Sequence, residues 1–272
     1  MRLTERTRRR IVACFVGCAI VAVACLDMSA PSGAASISLL QLPSPSVVRG
    51  DTMRDSAGNV APVTVTSFNV QGEPIPTIPF ETFVLDTMLR AHFTVTHLLI
   101  GDKLGNVTIV GQASGVQTLT VNVPVTVRPT TLLPGPKQPD DTLRAPATGD
   151  SATSIGIKAL STQVKGAGDT TVQGVIVRYR ITRTLPSSSS TIAAVYIGDK
   201  SSPPKPMKAD TTGTDGVANS RQVVVLTPLL TGPVLQQPDS VVVEATASYK
   251  GVPLTGSPLK IVVPVKVTIA IR

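Results

Sequence analysis

Tryptophan is missing from the 272 residues, and the aromatics amount to only 3%. Surfaces that stack rings on bases therefore lack their usual platform, and single-stranded nucleic acid is a poor fit despite a formal charge of +8. That charge is uneven. Arg2, Arg6, Arg8, Arg9 and Arg10 against Glu5 put a net +4 in the first 24 residues, and the remaining +4 is spread without a dense run. No nucleic-acid partner is expected. Cysteine occurs at Cys14, Cys18 and Cys25 and never afterwards. Disulfide staples, zinc sites built on thiolates and Cys-His catalysis are thereby excluded from everything beyond residue 25. Histidine occurs twice, at His92 and His97. Five residues apart on a predicted strand, they point to opposite faces, so they neither share a metal nor pair as base and orienter.

What is present begins with a basic stretch, Arg2 to Arg10, followed by sixteen predominantly apolar, uncharged residues, Ile11 to Leu26. The run suits a signal-peptide core and falls short of the roughly 20 residues a spanning helix needs. Residues 1–24 are expected to be a signal peptide, with cleavage after Ala24 leaving Cys25 as the first residue. Ala22-Val23-Ala24-Cys25 resembles a bacterial lipobox, in which small residues precede a cysteine that receives lipid. It departs from the commonest form at Ala22, where leucine is usual, and Ala-Val-Ala also satisfies the small-x-small rule of ordinary signal peptidase. With no later cysteine, Cys25 has no intramolecular partner, which lipidation explains. Cys25 is the expected lipidation site, and the membrane, through that anchor, an expected partner. Residues 25–40 are expected to be a flexible tether, small and polar with Pro31 and Gly33 in the part after Cys25.

From position 60 onward valine is prominent, and Gly (21) and Pro (23) supply turn chemistry. Period-two alternation recurs at Leu119–Val127, Ile155–Ala159, Val175–Ile181, Val241–Tyr249 and Ile261–Ile271. Such runs set one apolar face on a core and the other toward water. Tyr179 and Tyr249 fall on apolar faces and read as core, while the face of Tyr196 is open. Pro124 and Pro264 lie inside these runs, which suggests edges or bulges. No later stretch keeps a long 3.6-residue period, so the chain is read as all-β. Residues 129–140 read as a Pro-rich linker, dividing 41–128 from 141–272. Asp51-Thr52-Met53-Arg54 echoes as Asp141-Thr142-Leu143-Arg144, ninety residues on. That shift suits immunoglobulin-sized units. Extra length in the second block falls at Ser187–Ser190 and Ser201–Pro206, both read as loops.

Three short motifs carry a family resemblance: Val63 to Phe68, then Asn69-Val70-Gln71-Gly72-Glu73-Pro74, then Phe80 to Leu85. Strand, polar Gly-x-Pro turn and outgoing strand resemble the bacterial immunoglobulin-like modules of the intimin and invasin type. In the second block Ala209 to Ala218 resembles the Thr-Asp-rich turn found later in such modules. The resemblance implies two tandem immunoglobulin-like antiparallel β-sandwiches after the signal segment. It also implies a spacer, scaffold or adhesion role in the cell envelope, at the outer membrane, in the periplasm or on the surface. The polysaccharide- or peptidoglycan-associated binding module is the alternative, and an unidentified protein or glycan the expected partner.

No catalytic residue emerges. No Gly-x-Ser-x-Gly elbow occurs, and carboxylates cluster in turns where capping accounts for them. The chain is read as a non-enzyme without cofactors. Asp210, Thr214 and Asp215 place oxygen donors of the kind calcium takes in one loop, with a plain turn as the alternative. Arg49-Gly50-Asp51 spells the tripeptide integrins read, although Gly-Asp is equally natural where a strand begins.

Overall fold

The computed structural model describes residues 37–75, 78–113, 119–136, 142–146, 153–185, 194–228 and 240–268. The signal segment 1–24, Cys25, the tether up to residue 36 and the Ser187–Ser190 loop lie outside the described residues. The described elements are strands, apart from one 3-10 turn at Ala167–Asp169. The chain divides into two compact units that do not follow chain order. One comprises the described residues up to Gln41, with Thr64–Glu81 and Gly111–Leu119; the other holds Leu42–Val63, Thr82–Val110 and everything from Thr120.

The smaller unit is built on a three-stranded antiparallel sheet of Ile37–Gln41, Thr64–Phe68 and Pro74–Ile75. Leu39 pairs with Thr66, and the hydroxyls of Ser38 and Ser67 meet at 2.8 Å. The Asn69–Glu73 turn joins two of its strands. Asn69 Oδ1 accepts the amides of Gln71 (3.0 Å) and Glu73 (2.9 Å), and Gly72 takes φ +81°, which an L side chain resists. Asn69 and Gly72 in this turn therefore each do a defined job, which is why the turn is visible in the sequence.

The larger unit contains a β-sandwich. One sheet runs in the order Leu143–Pro146, Leu259–Thr268, Ser240–Thr246, Ile176–Leu185, Ala209–Thr211. Facing it are Pro129–Pro134, Thr162–Gly166 and Val217–Ala218, and the set Thr153–Ala159, Gln222–Pro228, Ala194–Gly198. Alternate residues of both sheets fill one core, including Val177, Tyr179, Val241, Val243 and Val263 from one side and Leu132, Val164, Val223 and Val225 from the other. At about 25 cal/mol per Å² of apolar surface, branched side chains suffice to hold such layers without disulfides. Tyr179 is the largest fully buried side chain. Its hydroxyl shares a 2.9 Å hydrogen bond with Thr162 and donates to the Ala218 carbonyl at 3.3 Å. Burial pushes the phenol up to about 12, with the Asp210 charge adding to it and the Thr162 bond opposing it. Tyr179→Phe is expected to cost about 1 kcal/mol with the fold retained. Thermal unfolding checks this, and an unchanged Tm would show the hydroxyl to be idle.

Antiparallel pairing dominates, and two parallel pairs interrupt it. Val47 and Val48 run parallel to Val125 and Thr126, and Leu143–Pro146 runs parallel to Val265–Thr268. In both cases the parallel register begins just after a proline, Pro124 or Pro264. Pro264 pairs with Ser240 along one edge of its strand, and the partner on the other edge starts at Val265. The missing N–H of Pro264 thus falls where partners change, so this proline marks a changeover. The sequence echo has a structural counterpart as well: Met53 and Leu143, third in their tetrapeptides, are both buried.

Three expectations are corrected here. Ile157 does not face the core but is 53% exposed, because its register partner is Val224, on the outer side of the Gln222–Pro228 strand, whereas Val223 and Val225 point inward. Val224 is nonetheless covered: its side chain, the Tyr196 ring and Pro204 crowd around Gly198, and the Tyr196 hydroxyl donates to the Pro204 carbonyl at 3.0 Å. The Ser201–Pro206 loop thus roofs an outer apolar spot and gives Tyr196 its place. Pro129–Pro134, inside the stretch read as a linker, forms a strand paired with Thr162–Gly166. The Val241–Tyr249 run is not one strand: the strand ends at Thr246, and although burial alternates on through Ala247, Tyr249 belongs to a separate hairpin and is only half-buried, packed against the core.

Candidate functional site

The hairpin that carries Tyr249 consists of Ser248–Tyr249 and Val252–Pro253. Its two central residues, Lys250 (φ +54°) and Gly251 (φ +74°), both occupy the left-handed region, the combination whose twist suits a two-residue connection. This turn re-aims Tyr249 toward the segment that follows Val47–Val48. That segment is firmly held: Gly50 N donates to Gly101 O at 2.7 Å, Met53 N to Leu99 O at 2.8 Å, and Met53 is buried. Next, Asp55 Oδ1 accepts the amides of Ala57 and Asn59, each at 2.9 Å, closing a tight turn. Gly58, at φ +94°, lies so close to the second turn that a Cβ would stand 2.3 Å from the Gly251 nitrogen. Two glycine turns therefore meet backbone to backbone.

Asp51 is the hub of this contact. Arg54 binds both of its carboxylate oxygens at 3.1 Å and also donates to the Gly58 carbonyl at 2.9 Å. Lys250 Nζ lies 3.1 Å from Asp51 Oδ2, and the Tyr249 hydroxyl bonds to the same oxygen. Burial disfavours the charge on Asp51, yet the bonds from Arg54, Tyr249, Lys250 and the Thr52 amide outweigh it and hold the carboxyl well below the usual carboxylate range. Burial and the facing Asp51 charge raise the Tyr249 phenol. Arg128 and Lys250 lie 5.4 and 5.6 Å from the centre of its ring. The Arg-Gly-Asp reading fails on this geometry, because Asp51, its side chain only 13% exposed, is committed to three side chains of its own protein.

Beside the hub lies a cavity of about 380 Å³. Segment 44–58 forms one wall, and the outward residues Arg178, Arg180, Glu244 and Thr246 of the five-stranded sheet form another. Their parity places them opposite Val177, Tyr179, Val243 and Ala245 of the core. Arg180 donates to Glu244 at 2.9 Å and remains 76% exposed, while the Arg178 guanidinium has no partner among the described residues. Thr126 also lines the cavity, and its hydroxyl is buried without a partner among the described residues.

The other residues singled out from sequence lie elsewhere. His92 sits on a strand and pairs with Asp102 at 2.7 Å, whereas His97 sits in the following turn at φ +59° with Thr82 Oγ1 at 2.9 Å. They do not share a strand, as the spacing argument assumed. Asp210 accepts the amides of Thr211 (2.9 Å) and Ser220 (2.7 Å), and Asp215 accepts that of Val217 (3.0 Å). Thr214 offers its carbonyl to Thr171 at 3.4 Å. These bonds are those of turns, and no group of three or more His, Cys, Asp or Glu side chains gathers among the described residues. Sequence reasoning missed the Asp51 hub and the two outward arginines. Lys-Gly after Tyr249 was an available turn signal, and Arg178 and Arg180 alternate with core residues in plain view.

Fold and site together define an all-β protein of mainly antiparallel sheets with a cleft on a sheet face. No family model matches the chain, and no curated protein matches it. Among solved structures it is similar to domains 4 and 5 of the S-layer protein SbsC, at 12% identity and TM-score 0.30 over 86% of this chain and 98% of that one. It is similar to the Yersinia pseudotuberculosis adhesin InvE at 15% identity and TM-score 0.32, over 84% of this chain and 58% of InvE. The enterotoxigenic E. coli adhesin CfaE gives 8% identity and TM-score 0.29, over 86% and 87%. Likenesses of this size carry no argument about function.

Proposed function

We propose that the chain is a non-catalytic module of the bacterial cell envelope, exported, held to the membrane by lipid on Cys25, and serving as a spacer, scaffold or adhesive unit of the immunoglobulin-like kind. The observation that carries this reading is the position of Cys25: the last cysteine of the sequence lies one residue before the end of the uncharged run Ile11–Leu26, directly behind Ala22-Val23-Ala24. A β-sandwich core of branched aliphatics that requires no covalent staple supports it. The non-catalytic part is supported by carboxylates engaged with their own protein, as at Asp51, Asp210 and Asp215. Metabolic labelling with a fatty-acid analogue is expected to tag the protein and to leave Cys25→Ala unlabelled. A wild-type protein that takes no label defeats the anchor.

A second reading, a polysaccharide- or peptidoglycan-associated binding module, is favoured by the cleft that Arg178 and Arg180 border. Retention on isolated cell-wall material separates it from the plain spacer.

A further inference from the structure

The side chains around the cleft divide into those already engaged and those left over. Asp51 accepts from Arg54, Tyr249 and Lys250, and Asp55 accepts from Ala57 and Asn59, so both carboxylates of the 44–58 wall are committed. On the opposite wall Glu244 takes one N–H of Arg180, and the remaining donors of Arg180 and all those of Arg178 are uncommitted among the described residues. Of the charged side chains in this partly apolar cleft, those left over for a visitor are therefore mainly the positive ones. The two guanidinium groups stand on one strand two residues apart, about 6.7 Å along its axis, and so form a line of charge and not a point. Guanidinium forks suit carboxylate and phosphate groups. Thr126 lines the cleft as well, and its hydroxyl, buried with no partner among the described residues, calls for a polar one, since a buried hydroxyl left unmatched costs about 1–3 kcal/mol. The cavity volume, about 380 Å³, lies within the range of small-ligand sites.

From this we infer that the cleft binds a segment of an acidic polysaccharide, its carboxylate or phosphate groups on Arg178 and Arg180 and a sugar hydroxyl on Thr126. Hydroxyl-rich chains satisfy an orphaned hydroxyl, and regularly spaced anions match a linear pair of cations. Nucleic acid fits less well, because Tyr249, the aromatic of the cleft, already carries Arg128 and Lys250 near its ring. A membrane surface fits less well because the two arginines line a cavity of about 380 Å³ and not a flat face. The inference deepens the glycan-binding reading and rests on it for access to such polymers. It is measured on the purified chain, apart from lipid anchoring, so either claim can fail alone.

The test is equilibrium binding of polygalacturonate, with neutral dextran and phosphatidylglycerol vesicles as the other arms. Polygalacturonate is expected to bind, to weaken as salt is added, and to bind at least tenfold more weakly to the Arg178→Ala/Arg180→Ala double variant; dextran and vesicles are expected not to bind. Both arginines are exposed and outside the core, so the variant is expected to unfold at the wild-type temperature. Thr126→Val, which keeps the shape of the side chain, is expected to weaken binding several-fold. No binding of the acidic polymer, equal binding by the double variant or by Thr126→Val, dextran binding, or vesicles retained where the polymer is not, would each overturn the assignment.

Discussion

Asp51→Ala is expected to lower stability by about 3 kcal/mol, with the midpoint of thermal unfolding falling by roughly 6–12 °C. The substitution removes the acceptor for Arg54, Lys250 and the Tyr249 hydroxyl at once, leaving two cations facing each other in a half-buried setting. The direct ion-pair energy of such a group is modest because water screens part of it, and the larger cost is the set of donors left unmatched. The same contact makes a pH prediction. The folded carboxyl titrates below its unfolded value of about 3.9, so its stabilisation is complete above that value and is lost as the pH falls through the folded one. Denaturant melts at pH 7 and pH 3 are expected to show the wild type losing more stability on acidification than Asp51→Asn. Parallel losses in the two proteins would mean that the carboxylate is not the acid-sensitive element.

Gly58→Ala is expected to be at least as damaging, again about 3 kcal/mol, for a different reason. The residue holds φ +94°, and its new methyl would stand 2.3 Å from the Gly251 nitrogen and 2.6 Å from the Lys250 carbonyl carbon. Neither neighbour is a flexible side-chain end, so the two turns must separate. Gly72→Ala provides the comparison, since that glycine also has positive φ but nothing within 4 Å of a would-be Cβ. It is expected to cost only about 1 kcal/mol. Equal losses in the two variants would show that backbone strain alone, and not the close approach, governs both.

The strands were legible wherever burial alternates strictly. Val175, Val177 and Tyr179 lie in the core, Arg178 and Arg180 lie outside, and Val123 and Val125 are buried while Asn122 is exposed, as period two requires. The Asn69–Glu73 turn was legible because Asn and Gly are needed there by a side-chain bond and a positive φ. Reading failed where partners decide the outcome. Ile157 alternates as well as any core residue, but the register with Val224 turns it outward. Proline-rich 129–134 resembles a spacer in composition, and Thr162–Gly166 makes it a strand by pairing with it. For Tyr249 the parity held as far as packing against the core, but the strand ends at Thr246, and the hairpin that follows also turns its hydroxyl to Asp51. The hub at Asp51 was beyond reach in principle, since its two halves are separated by 198 positions and no local pattern encodes the meeting.

That separation has a consequence for how the molecule is made. The Asp51 contact closes a loop of 198 residues, for which the chain-entropy cost is about 5 kcal/mol beyond a constant. Residues 44–58 are held by Leu99–Gly101 and by Val125–Thr126 once those are made, yet the Asp51 carboxylate and the Gly58 turn gain their remaining partners only when Tyr249 and Gly251 have been made. The Asp51 carboxylate therefore waits for a partner 198 positions further on, and a nascent chain halted short of Tyr249 would leave it to Arg54 alone of its three side-chain partners.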